Sequence, residues 1–153
     1  MIKANVIVSD KSWINFIKEP EKYLKKKLKK LNNNKLLKNK KIEFTLLLTG
    51  SDEIKKLNKK FRKKNKITDV LSFPSESLRK IKKLLKKKQL FYLGDIVINI
   101  NKITKNLSDD NFNYKFDKLW IHGLLHLLGS RHISKKEYIK MEKLEEKFFN
   151  LIK

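Results

Sequence analysis

The sequence predicts an α+β fold of about four strands and five or six helices. Three observations lead there. Four runs of six to eight residues are rich in β-branched and aliphatic side chains. Between them lie stretches in which apolar residues recur every three or four positions among lysines, the period of a one-sided helix. Cap and turn residues separate the two kinds of segment, and no repeat or linker intervenes. The 153 residues therefore read as one domain, 1–153.

Residues 4–9, with Val6, Ile7 and Val8, form the first expected strand. Ser12 is placed as the cap of a short helix through Trp13, Phe16 and Ile17. Pro20 interrupts it and suits the first position of a second helix, which carries Leu24, Leu28 and Leu31 on one face. Asn32, Asn33 and Asn34 signal a loop. Ile42–Thr49 is the strongest strand, and Gly50 ends it. Ser51 is the expected cap of the next helix, where Asp52 and Glu53 oppose the helix dipole and Ile54, Leu57 and Phe61 form the apolar face. Residues 63–66 are a basic loop, and residues 68–73 are a third strand stopped by Pro74.

Residues 75–90 place Leu78, Ile81, Leu84 and Leu85 at helical spacing among lysines. A surface helix over the sheet and an RNA-facing basic helix both fit. Residues 93–99 are the fourth strand, 101–107 a short helix and 108–113 a polar loop. Residues 114–128 are an apolar helix. Ser134 and Glu137 form a capping box that opens the last helix, with Tyr138, Met141, Leu144, Phe148 and Leu151 inward.

Hydrophobic residues make up 40% of the chain, enough for a core. There is no cysteine, so disulfides and thiolate metal ligands are excluded. No apolar run reaches membrane-spanning length and the start of the chain reads as a strand, so a cytoplasmic protein without a membrane partner is expected. The net charge of +23, from 39 basic and 16 acidic residues, favours a polyanion such as nucleic acid. Lysine dominates that charge and Asn and Ile are abundant, a mixture that an AT-rich genome also produces.

The three histidines of the chain fall within eleven residues, as His122-x-x-x-His126-x-x-Gly129-x-x-His132. Two histidines four apart share one helix face and can hold one metal. Gly129 can take the left-handed conformation that ends the helix and returns His132 as a third ligand. Three protein ligands leave a fourth position open, as in catalytic zinc sites. Zincin proteases share this spacing but carry a glutamate directly after the first histidine as general base. Gly123 occupies that position here and cannot move a proton. Histidines scattered over a half-buried helix are the bland alternative, which three at ligand spacing with a glycine at the turn disfavour.

Three blocks of the chain resemble the YbeY-type endoribonucleases, bacterial proteins of ribosomal RNA maturation. The first contains Asn58, the Phe61-Arg62 pair and Thr68-Asp69-Val70-Leu71-Ser72-Phe73-Pro74. The second is Leu93-Gly94-Asp95-Ile96-Val97-Ile98, and the third runs from His122 to His132 with Met141, Leu144 and Glu145 after it. The resemblance spans roughly residues 40–150. It implies a zincin-like α+β fold with a mixed four-stranded sheet, and one zinc ion per chain held by His122, His126 and His132. It further implies single-strand-specific RNA cleavage in late 16S rRNA 3′-end maturation and ribosome quality control, with ribosomal RNA and small-subunit assembly proteins as partners. Arg62 matches the family's functional arginine. Two departures stand out: Ser130-Arg131 where the family usually has Tyr-Asp, and a lysine-rich stretch at 79–88 where it is usually more acidic.

In chemical terms, zinc serves as a Lewis acid toward a phosphoryl oxygen and acidifies water, while the Arg62 guanidinium pairs with non-bridging oxygens. Water or the RNA 2′-hydroxyl supplies the nucleophile, and no general base is evident in the motif. Asp69 and Asp95 read as cap or turn residues, or as orienting partners of a histidine. Asp117 reads as a solvated helix residue, and Met141 as core or as a floor beneath the metal. Two other functions compete. A metalloprotease is opposed by Gly123. A noncatalytic RNA-binding ribosome-assembly factor with a structural zinc gains from Arg131 and from the missing base. Oligomeric state is left open.

Overall fold

The computed structural model describes residues 1–105, 107 and 111–153. Four strands, β1 (Ile2–Val8), β2 (Ile42–Thr49), β3 (Val70–Pro74) and β4 (Phe91–Asn99), form one sheet in the order β1-β2-β4-β3. β1, β2 and β4 run parallel, and β3 is an antiparallel edge strand paired to β4. The sheet is thus mixed. The helices are α1 (Pro20–Leu31), α2 (Ser51–Arg62), α3 (Leu78–Leu84), α4 (Ile100–Thr104), α5 (Phe112–Leu127) and α6 (Lys135–Ile152), with a 3-10 turn at Lys11–Asn15.

The alternation along β2 explains the layering. Ile42, Phe44, Leu46 and Leu48 are fully buried on one face, where they join Ile96 and Ile98 of β4 against α1, α5 and α6. On the opposite face Leu71 and Val97 meet Ile54 of α2 in a smaller cluster, with Leu57 and Phe73 packed beside it. The apolar stripe of α5 is wide. Phe116, Trp120, Ile121, Leu124 and Leu127 are all buried, at about 1.5–3 kcal/mol for each side chain removed from water. α5 is therefore a core element on which a site can be held still.

Several local expectations change. Asp10, not Ser12, caps the 3-10 turn, its carboxylate accepting from the Ser12 N–H at 2.9 Å. Gly50 occupies the N-cap of α2 and Ser51 is the first helical residue, because its hydroxyl is engaged by the side chains of Asn99 and Asn101. Phe61 lies outside the α2 packing face, at 59% exposure. The capping box on α6 forms between Ser134 and Glu137, but Tyr138 and Leu151 point outward and Ile152 takes the inward place. α4 starts and ends earlier than the 101–107 range, and part of that range and of the 108–113 loop lies outside the described residues.

Asp117 is the largest correction. It is buried at 4% exposure rather than solvated. Its carboxylate accepts from Trp120 Nε1 at 2.8 Å and from the Tyr23 hydroxyl at 3.0 Å, and pairs with Lys27 Nζ at 2.9 Å. A buried carboxylate survives only with such partners. Burial, reinforced by the charge of Asp117, raises the Tyr23 pKa, so the phenol stays a donor. The network ties α1 to α5 one turn before His122. Asp117→Ala is expected to destabilise the protein by about 3 kcal/mol or more, since it strands the indole N–H and the hydroxyl. Urea unfolding measures this, and a loss below about 1 kcal/mol would deny the network that role.

Candidate metal centre

His122 and His126 stand one turn apart on α5, and their Nε2 atoms lie 3.0 Å from each other. The helix can carry them beside the sheet because Gly123, between them, has no side chain. A Cβ there would sit 2.7 Å from Ile96 Cγ2 and 3.2 Å from Ser72 Oγ. The Ser72 hydroxyl donates to the Gly123 carbonyl at 3.2 Å, stitching β3 to α5 at that point. A glutamate at position 123 would thus force Ile96 out of its place, besides being absent from the sequence.

The return of His132 follows from the helix end. Leu128 is the last residue in helical conformation, and Gly129 takes φ of +98°. The Gly129 N–H reaches the His126 carbonyl at 3.0 Å, and the Ser130 N–H reaches the Leu125 carbonyl at 2.9 Å. This pair of bonds is the Schellman motif, which satisfies two end carbonyls while reversing the chain. A Cβ on Gly129 would also strike Leu78 at 2.4 Å. His132 then lies with its ring 4.9 Å from that of His126 and 5.8 Å from that of His122. One ligand nitrogen from each of the three falls within 4.8 Å of the others.

Two of the rings are oriented by their other nitrogen. Glu145 of α6 accepts from His122 Nδ1, and the Ser130 carbonyl accepts from His126 Nδ1 at 3.1 Å. An Nδ1 hydrogen bond of this kind selects the tautomer whose Nε2 can bind a metal. Burial pushes the His126 pKa down to about 4, and the charges of His122, His132 and Arg62 act in the same direction. His126 is therefore neutral at physiological pH, with its lone pair available. The set suits zinc. Three imidazoles are a known donor set for it, and Zn–N bonds of about 2.0–2.1 Å place tetrahedral ligand nitrogens a little over 3 Å apart.

The role of Glu145 is not legible in the sequence, because 23 residues separate it from His122 and only the packing of α6 on α5 joins them. Glu145→Ala is expected to lower metal affinity by about 10–100-fold while the fold persists. Competition against a chromophoric chelator reads this directly, and unchanged affinity would show that the carboxylate orients nothing.

The histidines form one wall of a cleft of about 500 Å³, whose other walls come from β3, α3 and the end of α2. Arg62, at the C-terminus of α2, reaches into it past edge strand β3. Its guanidinium donates to the Ser72 carbonyl at 2.7 Å and lies 5.6 Å from the Phe73 ring centre. Arg131, which replaces the aspartate usual in the resembled family, also lines the cleft and adds a second guanidinium there. Asp69 is at the rim but spends one oxygen on the Val70 N–H at 2.8 Å, a turn role. Asp95 accepts from the Tyr92 hydroxyl and is not among the cleft residues. Met141 is a buried core residue. Glu76, which the sequence reading passed over, also lines the cleft, paired with Lys80 at 2.7 Å. α3 supplies Leu78 and Ile81 to the cleft wall and so acts as cover beside the site.

Comparison with known proteins agrees with this architecture. The family model described as "Endoribonuclease YbeY" matches residues 7–153. A protein of that name from Pelagibacter ubique is 44% identical over 156 aligned positions, covering 100% of this chain and 97% of its own. One from Ehrlichia chaffeensis is 30% identical, covering 98% of this chain and 92% of its own. The solution structure of a Thermotoga maritima protein superposes with a TM-score of 0.58 at 21% identity, covering 99% of this chain and 89% of that one, a likeness of fold.

Proposed function

Because the chain belongs to the endoribonuclease YbeY family, we propose that it is a metal-dependent endoribonuclease that cleaves single-stranded RNA in the cleft between α5 and β3. The observation that carries this reading is the convergence of three imidazole nitrogens and the Arg62 guanidinium on one cleft. His122, His126 and His132 would hold one zinc ion. Bound there, zinc would supply Lewis acidity toward a phosphoryl oxygen and acidify water. Arg62 would grip the non-bridging oxygens of the scissile phosphate and hold it against the triad, with Arg131 adding positive potential at the mouth. Arg62 is preset for this, since its bond to the Ser72 carbonyl holds the fork at the cleft edge before RNA arrives.

The surrounding lysines would draw in the RNA backbone without regard to sequence, consistent with the net charge of +23. The substrate proposed within the cell is the 3′ region of precursor 16S ribosomal RNA, late in small-subunit maturation and in ribosome quality control, with small-subunit assembly proteins as partners in the cytoplasm. Family membership supports that assignment, and residues 1–153 would act as one domain. Among the described residues no helix is long and apolar enough to cross a membrane.

The test is cleavage of a labelled RNA, single-stranded or fully paired, before and after chelation with the fold followed by circular dichroism. Cutting of the single strand only, lost on chelation without unfolding and restored by zinc, is the expected result. Chelation that unfolds the protein, with no cutting by the loaded form, would favour an RNA-binding assembly factor with a structural metal.

A further inference from the structure

Phe61 is exposed at 59% within the run Lys59-Lys60-Phe61-Arg62-Lys63-Lys64-Asn65-Lys66, where six of eight residues are basic. A single exposed aromatic is ordinary by itself. Its neighbours distinguish this one. The ring stands edge-on to Phe73 with centroids 5.5 Å apart, and Phe73 in turn carries the Arg62 guanidinium at 5.6 Å. Lys60 Nζ lies 5.2 Å from the Phe61 ring centre. Along β3, Val70, Ser72 and Pro74 line the cleft, while Leu71 and Phe73 pack with the α2 side. The Phe61–Phe73 shelf and the cleft are therefore separated by one edge strand, and Arg62 bridges them.

Resting on the endoribonuclease reading, we propose that Phe61 is a nucleobase-stacking subsite for the RNA strand that leaves the cleft over the edge of β3. A phosphate held by Arg62 leaves the adjoining nucleotide within reach of Phe61, because Arg62 and Phe61 both lie against the Phe73 ring. An aromatic face beside cations is the arrangement by which proteins hold unpaired strands without reading sequence. Stacking requires a base free of its duplex partner, so the shelf selects for single strands. The phosphate clamp alone does not.

Phe61→Trp provides a direct reporter, because the natural Trp13 and Trp120 are fully buried and shielded from the RNA. Titration with a single-stranded RNA oligonucleotide at about 150 mM salt, where backbone attraction is damped, is expected to quench the introduced indole. Phe61→Ala and Phe61→Leu are expected to weaken binding of that oligonucleotide about ten-fold, within the range for one lost base stack. Phe61→Tyr is expected to retain it, and affinity for a paired RNA should change little in any variant. No quenching at saturating RNA, or Phe61→Ala binding within two-fold of the parent, overturns the proposal. Cleavage by the unmodified protein is scored on the same RNA. Quenching without cutting upholds the stacking subsite and sinks the nuclease reading, whereas cutting without quenching does the reverse.

Discussion

His126→Ala is expected to abolish both metal binding and RNA cleavage. His126 is the middle ligand of the proposed set. Its Nε2 lies 3.0 Å from that of His122, and its ring is closer to His132 than the His122 ring is. Without it two imidazoles remain, and one of them, His132, is exposed on the loop after α5. Loss of a partner that only orients a ligand costs about 10–100-fold in affinity or activity. Loss of the ligand itself should exceed that, so cleavage is expected to fall by more than about 100-fold, with metal content at background by elemental analysis. The helix should survive, because its apolar stripe and the Asp117 network do not involve the ligand face. A variant that still cuts RNA at a rate near the parent's would remove the metal centre from the mechanism.

Arg62→Lys should keep the charge and lose the fork. A lysine ammonium is a point charge and cannot make two parallel bonds to a phosphate while also capping the Ser72 carbonyl. Removing a preorganised donor from a developing charge typically costs about 10²–10³ in rate, and the drop is expected in kcat more than in KM. Metal content should be unchanged. The stability change should be small, because Arg62 lies at the exposed end of α2 and its structural contacts are one hydrogen bond to Ser72 and the Phe73 ring face, both on an edge strand. Equal kcat in the two proteins would reduce Arg62 to a surface cation holding the edge of β3. A large loss of melting temperature would instead mark it as structural.

Much of the fold could be read along the chain. β2 runs over the same eight residues as its apolar pattern, α1 starts at Pro20 with Leu24, Leu28 and Leu31 buried, and the capping box at Ser134 forms as written. These features share a physical origin. Each is set by contacts within a few residues, where backbone geometry and side-chain period leave few choices. Apart from the local exchange of Asp10 for Ser12 as a cap, the details that differ involve competition with distant groups. Ser51 fails to cap α2 because Asn99 and Asn101, some fifty positions away, engage its hydroxyl. Tyr138 has helical spacing with Met141 yet faces solvent, since the stripe of α6 that meets α5 and α1 runs through Met141, Phe148 and Ile152.

The site divides along the same line. The spacing of His122 and His126, and a glycine able to turn the chain before His132, are properties of one short segment, so the triad could be anticipated from sequence. Its environment could not. Glu145 on His122, Tyr23 of α1 on Asp117 of α5, and Arg62 reaching around β3 each join residues separated along the chain. Gly123 shows both halves. The sequence by itself determined that the protease base is missing there. Only the tertiary structure decided why a side chain is disfavoured there, because the sheet packs against that turn of α5 and brings Ile96 within 2.7 Å of where a Cβ would go. Local spacing specifies which groups can meet, and the packing of sheet on helix decides what surrounds them, what charge they hold and which substrate can reach them.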